Sequence, residues 1–176
     1  VLHTPEWYIN QGIELISGQL VVDVNRRHRQ VITDQGLSIP YDRLLFATGS
    51  VPFIIPIPNH NHACVLSFRD IQDVEAMLSA TTDKKRVAVI GGGLLGLEAA
   101  NGLLKRGVEV TVIHDVSCLM NRQLDSEAAH LLQAQLEKNG MKFRMGVVTK
   151  EIVAKDAEHL SHLAFREGED LPTDLV

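Results

Sequence analysis

Gly91, Gly93 and Gly96 stand at the spacing G-x-G-x-x-G. They follow the apolar run Val87-Ala88-Val89-Ile90 and open a Leu-, Ala- and Glu-rich stretch that ends before Gly107. A glycine turn between a strand and a helix is suited to holding the pyrophosphate of a dinucleotide. The first glycine permits the tight turn, the second lets the backbone approach the phosphates, and the third lets the helix pack close to the strand. Unpaired N–H groups at the helix start, aided by the helix dipole, supply the attraction for the anion. The spacing alone also occurs in structural turns; its place between an apolar strand and a helix is what narrows the reading.

The end of the next apolar run, Val108 to Ile113, is where such units place an acid for the adenosine ribose. Here His114 stands in that place and Asp115 follows. Asp115 can reach the ribose hydroxyls from the next position. His114 can hydrogen-bond them or tolerate a 2′-phosphate, and a merely exposed strand-end histidine is the plainer alternative. No Arg or Lys adjoins the pair, so NADH against NADPH stays open. Glu98, two residues after Gly96, reads equally as a cofactor contact and as a carboxylate favoured by the helix dipole. His60 and His62 sit in a Pro- and Asn-rich stretch without Cys or acidic companions, so they read as solvated loop residues and no metal site is expected. No Ser-His-Asp or Cys-His arrangement is recognisable, and no catalytic residue is assigned.

These residues need a strand–turn–helix–strand unit to hold them, and the pattern supplies one. A strand at 87–90 leads through the turn to a helix from Leu94 to about Arg106, stopped by Gly107, and then to a strand at 108–113. Asp125 caps a second helix that Asn139-Gly140 ends. Short strands are expected near 142–145, 147–154 and 160–166, and Leu175-Val176 starts a further one. Upstream, short β-branched runs over residues 13–40 argue for an antiparallel meander. Leu44-Leu45-Phe46-Ala47 is continuously apolar, as a strand buried on both faces would be, and runs into the turn Thr48-Gly49-Ser50. Residues 51–62, with Pro52, Pro56 and Pro58, read as a linker. Asp70 should cap a short helix to about Ala80, with Ile71, Val74 and Leu78 on one face. Lys84-Lys85-Arg86 reads as a solvated charge run.

A chain of 176 residues that is 45% hydrophobic and 22% charged suits one domain or two small ones with a sizeable core. The net charge of −5 argues against general nucleic-acid affinity. No run is long and apolar enough to span a bilayer, and the first residues lack the features of a signal peptide. The lack of an initial Met fits a start inside a longer protein, or removal of that residue. Cys64 and Cys118 form no Cys-x-x-Cys and read as reduced, mostly buried thiols in a cytoplasmic protein.

Three blocks occur in one order: Tyr41-Asp42-Arg43-Leu44-Leu45-Phe46-Ala47-Thr48-Gly49-Ser50-Val51-Pro52, then Phe68-Arg69-Asp70-Ile71-Gln72-Asp73-Val74, then Gly91 through Ala100. This combination resembles the FAD-dependent pyridine nucleotide–disulfide oxidoreductase superfamily over nearly the whole chain. Within it, Leu119-Met120-Asn121-Arg122-Gln123-Leu124-Asp125, together with the histidine at 114, resembles the branch of nitrite reductase large subunits of nitrate assimilation. The other blocks are shared with ferredoxin and rubredoxin reductases.

The resemblance implies an α/β architecture: a Rossmann-like three-layer NAD(P)-binding domain over residues 83–176, short of its last strand, plus part of an FAD-binding domain with an antiparallel meander over 1–82. Gly91, Gly93, Leu95, Gly96 and Glu98 would line NAD(P)H. Ala47, Thr48 and Gly49, with the backbone near Val21 and Val22, would line FAD. The implied role is an electron-input module that passes hydride from NAD(P)H to FAD, with siroheme and an iron–sulfur cluster only in parts of the parent beyond this chain. Implied partners are dinucleotides and the remaining domains of the parent flavoenzyme, with no nucleic acid and no membrane; a homodimer is compatible. The superfamily's first FAD glycine motif and its later Gly-Asp motif fall outside the chain, so the chain by itself is expected to bind FAD poorly and to have no turnover. The alternatives are another FAD-dependent NAD(P)H reductase or a non-catalytic nucleotide-binding module. Two adjacent dinucleotide sites argue against the latter, since they suit electron transfer.

Overall fold

A computed structural model describes residues 3–83 and 86–176. The chain forms two compact units, Val1–Gly49 and Ser50–Val176. Lys84 and Lys85 of the charge run lie outside the described residues. Arg86, the third member, is not free in solvent: its guanidinium pairs with Asp174 at 2.6 Å.

The first unit opens with a helix the pattern does not predict, α1 (Pro5–Asn10), with Pro5 at its first turn and Gly12 beyond its end at φ +67°. Strands β1 (Val21–Asn25), β2 (Gln30–Thr33) and β3 (Ser38–Pro40) form the expected antiparallel meander. Residues 13–16, expected as a strand, are irregular and join no strand among the described residues, and the Ile13 amide donates to Tyr8 O at 2.9 Å. Val21 pairs with Thr33 and Asp23 with Ile32, so Val22 is a bulge. The run Leu44–Ala47 departs furthest from expectation. It is not a strand, and Leu45 is 87% exposed. A doubly buried strand needs sheet neighbours, and among the described residues this segment has none.

In the second unit, α2 (Ile71–Ala80) is capped as expected. Asp70 accepts from the Asp73 amide at 3.0 Å, and Asp73 accepts from the Asp70 amide at 3.2 Å, a reciprocal capping box. Its inner face is not the expected one: Ile71 is exposed, while Met77 and Ala80 pack on the core. Strand β4 (Arg86–Ile90), α3 (Leu94–Leu104) and β5 (Glu109–His114) make the predicted unit. β4 and β5 run parallel, with Val87 opposite Val110 and Ile90 opposite Ile113. Leu97, Ala100 and Leu103 form the buried face of α3. Gly107 and Gly140, both at positive φ, follow the ends of α3 and of α4 (Ser126–Lys138). Strand β6 (Lys142–Met145) extends the parallel sheet, and β7 (Thr149–Ala154), β8 (Leu160–Phe165) and β9 (Leu171–Pro172) form an antiparallel one.

Leu175 and Val176 do enter the parallel sheet. The Ala88 amide donates to Leu175 O at 2.9 Å, the Val176 amide to Cys64 O at 2.9 Å, and the Leu66 amide to Val176 O at 2.8 Å. This pairing explains why the units divide at Gly49 rather than after residue 82. Cys64 and Leu66 are hydrogen-bonded to Val176, and Ile57, Val65, Leu66 and Met77 pack on the same core as Val87. The Pro-rich segment is likewise no free linker. Asn59 donates to Ile152 O at 2.7 Å, and His62 joins Asp156 O through Nε2 while its Nδ1 accepts from the Cys64 amide. Both ring nitrogens of His62 are therefore engaged by backbone.

Candidate dinucleotide-binding site

The turn after β4 begins at Gly91, whose φ of +124° is strained for any side chain. Its amide donates to Ile113 O at 2.8 Å, tying the turn to the end of β5. Gly96 is required for a different reason: a Cβ there would lie 2.0 Å from Gly91 O. Helix α3 thus meets the turn through bare backbone. Gly93 differs from both. It is the N-cap of α3, with an ordinary φ of −86°, and a Cβ on it would meet nothing within 4 Å. Among the described residues nothing crowds a side chain at 93.

Among the described residues, the amides of Gly93, Leu94 and Leu95 have no acceptor within the chain, and no side chain caps this helix. Together they form an open cluster of donors at the positive end of α3, suited to an anion. Glu98 is exposed and lies beyond the first turn of α3. Leu95 and Gly96 also border an apolar cleft of about 400 Å³, lined by Val89, Ile90, Ala99 and Val176 among others.

His114 and Asp115 sit where β5 ends, beside the turn, but they are held differently. The His114 side chain is 13% exposed and its Nδ1 lies 3.3 Å from Asp115 Oδ1. Its Nε2 is buried without a partner. Asp115 is 70% exposed at its side chain and accessible to a ligand. The residue that sequence reasoning missed is Gly92. A Cβ there would lie 2.7 Å from Leu119 Cδ2 and 2.9 Å from His114 Cδ2. The signal was present, since glycine fills a place that the motif leaves free.

In the first unit, the residues expected to line a flavin are unspent. Val22 lies out of register with β2, Ala47 and Thr48 are exposed and irregular, and Gly49 turns at φ +72°. Among the described residues no cluster of His, Cys, Asp and Glu could hold a metal, and no helix is long and apolar enough to cross a membrane.

Residues 7–176 match the family described as pyridine nucleotide-disulphide oxidoreductase. The chain belongs to this family. In Bacillus subtilis, a nitrite reductase [NAD(P)H] is 48% identical over 97% of this chain and 21% of its own length. An assimilatory nitrate reductase electron transfer subunit of the same organism is 41% identical over 99% of this chain and 22% of its own. The chain therefore spans about a fifth of the length of these curated relatives. Among solved structures, a ferredoxin reductase from Rhodopseudomonas palustris superposes with a TM-score of 0.92 at 30% identity, over 99% of this chain and 43% of that one. The family's α/β fold and its pyridine-nucleotide chemistry agree with the expectations drawn from the three sequence blocks.

Proposed function

We propose that this chain is the electron-input part of an FAD-dependent NAD(P)H oxidoreductase of the nitrite reductase type. The glycine turn would bind the dinucleotide pyrophosphate, with Gly91, Gly93, Leu95 and Gly96 at the phosphates and Asp115 at the ribose hydroxyls. His114 would back the ribose site, and Glu98 would lie along the cofactor on α3. Val22, Ala47, Thr48 and Gly49 would contact FAD. When bound, NAD(P)H would supply a hydride and FAD would accept it; the protein's part is to bind and orient both.

One observation carries the reading: Gly93 borders open space while Gly91 and Gly96 are demanded by the chain itself. The identity to nitrite reductase supports that branch. The likeness to a ferredoxin reductase supports the alternative, a reductase that serves a small electron-carrier protein. Siroheme and an iron–sulfur cluster would lie elsewhere in a nitrite reductase parent, as would the other domains with which this part assembles.

Calorimetric titration with NADH and NADPH tests the central reading. Binding of either supports a working glycine turn. Failure of both would refute it.

A further inference from the structure

The segment Leu119–Met120 lies outside the glycine turn yet holds it. Met120 has φ +48°, a left-handed conformation that a long side chain rarely adopts. The loop holds it there from both sides. Its amide donates to Gly92 O at 2.9 Å, and its carbonyl accepts from the Gln123 amide at 2.8 Å and the Leu124 amide at 2.9 Å. Leu119 is wholly buried, with Cδ2 only 2.7 Å from where a Cβ on Gly92 would stand. Strain retained at a residue that touches a binding turn points to a role in that turn.

We propose that Met120 is a positioning residue for the dinucleotide, acting through the Gly92–Gly93 peptide. This peptide joins two glycines and would otherwise rotate freely. A planar trans peptide directs its C=O and N–H in opposite senses. Fixing Gly92 O on the Met120 amide therefore turns the Gly93 N–H away from the loop and leaves it free to donate. The clamp presets one of the phosphate donors before a ligand arrives. The inference rests on the functional reading above.

The test compares Met120→Gly and Met120→Val in the 176-residue chain, by NADH calorimetry and by the Gly93 amide resonance. Glycine adopts the left-handed conformation readily, so Met120→Gly should keep the wild-type affinity and resonance. A β-branched side chain resists that conformation, so Met120→Val should shift the Gly93 amide and weaken NADH about tenfold. A lower melting temperature with NADH affinity and the Gly93 amide unchanged would reduce the loop to packing and overturn the proposal. Should Met120→Val not fold, hydrogen exchange in the wild type decides. Coupling is reciprocal, so NADH should slow exchange of the Met120 amide more than that of the Ile152 amide; equal slowing overturns the proposal. Failure of the wild type to bind either NADH or NADPH would sink the functional reading instead, and the Gly93 resonance would still judge the clamp.

Discussion

Gly96 and Gly91 meet backbone to backbone: a Cβ on Gly96 would stand 2.0 Å from the Gly91 carbonyl oxygen. Gly93, in the same turn, has no neighbour within 4 Å of its Cβ position. The two glycines should therefore fail differently. Gly96→Ala forces the helix off the turn and should cost about 3 kcal/mol of stability, with binding lost as well. Gly93→Ala should leave the melting temperature near wild type yet weaken NADH or NADPH at least about tenfold, or about 1.4 kcal/mol. Thermal unfolding paired with calorimetry separates the two, and equal effects on stability would contradict the assignment.

Asp115 is exposed and His114 is packed, which predicts unequal roles at the ribose. Asp115→Ala should weaken NADH by about 1 kcal/mol or more through lost hydrogen bonds, with little change in stability. Its effect on NADPH should be smaller, since a carboxylate repels a 2′-phosphate. A ratio of the two affinities that does not move would remove Asp115 from the site.

Asp73 accepts from the Ser67 hydroxyl at 2.8 Å and from the Arg69 amide at 2.6 Å, besides the Asp70 amide of the capping box. The Ser67 hydroxyl, followed by those amides, holds the Asp73 carboxyl below its ordinary value of 3.8. A depressed carboxyl pKa adds stability above the unfolded value, and that share disappears as pH falls through the folded value. Asp73→Ala should lower stability by about 1 kcal/mol at neutral pH. Melting curves for the two proteins should converge below about pH 3.8, the value from which the carboxyl is depressed. A gap that persists unchanged into acid would assign the effect to packing.

The residues proposed to contact the flavin lie in the first unit, where the run 44–49 has no sheet partner among the described residues. The isolated chain should accordingly retain little FAD and show no NAD(P)H turnover. Absorbance of the purified chain checks this directly, and a stoichiometric flavin spectrum would overturn it.

The catalogue of local features was legible in the sequence because each depends on residues close together along the chain. The apolar run before Gly91, the three spaced glycines, the caps at Asp70 and Asp125, and the stops at Gly107 and Gly140 are set by backbone conformation and hydrogen bonds a few residues long. They were enough to place β4, the turn, α3 and β5. Tertiary structure alone decided the rest. The insertion of Leu175 and Val176 between β4 and residues 64–66 assigns the Pro-rich segment and α2 to the second unit. Leu44–Ala47, apolar enough for a buried strand, is exposed because composition cannot provide a sheet neighbour. Gly92 gains its meaning only when β5 and the following loop bring His114 and Leu119 onto it. Such contacts join distant parts of the chain, and their geometry exists only once the sheet has formed.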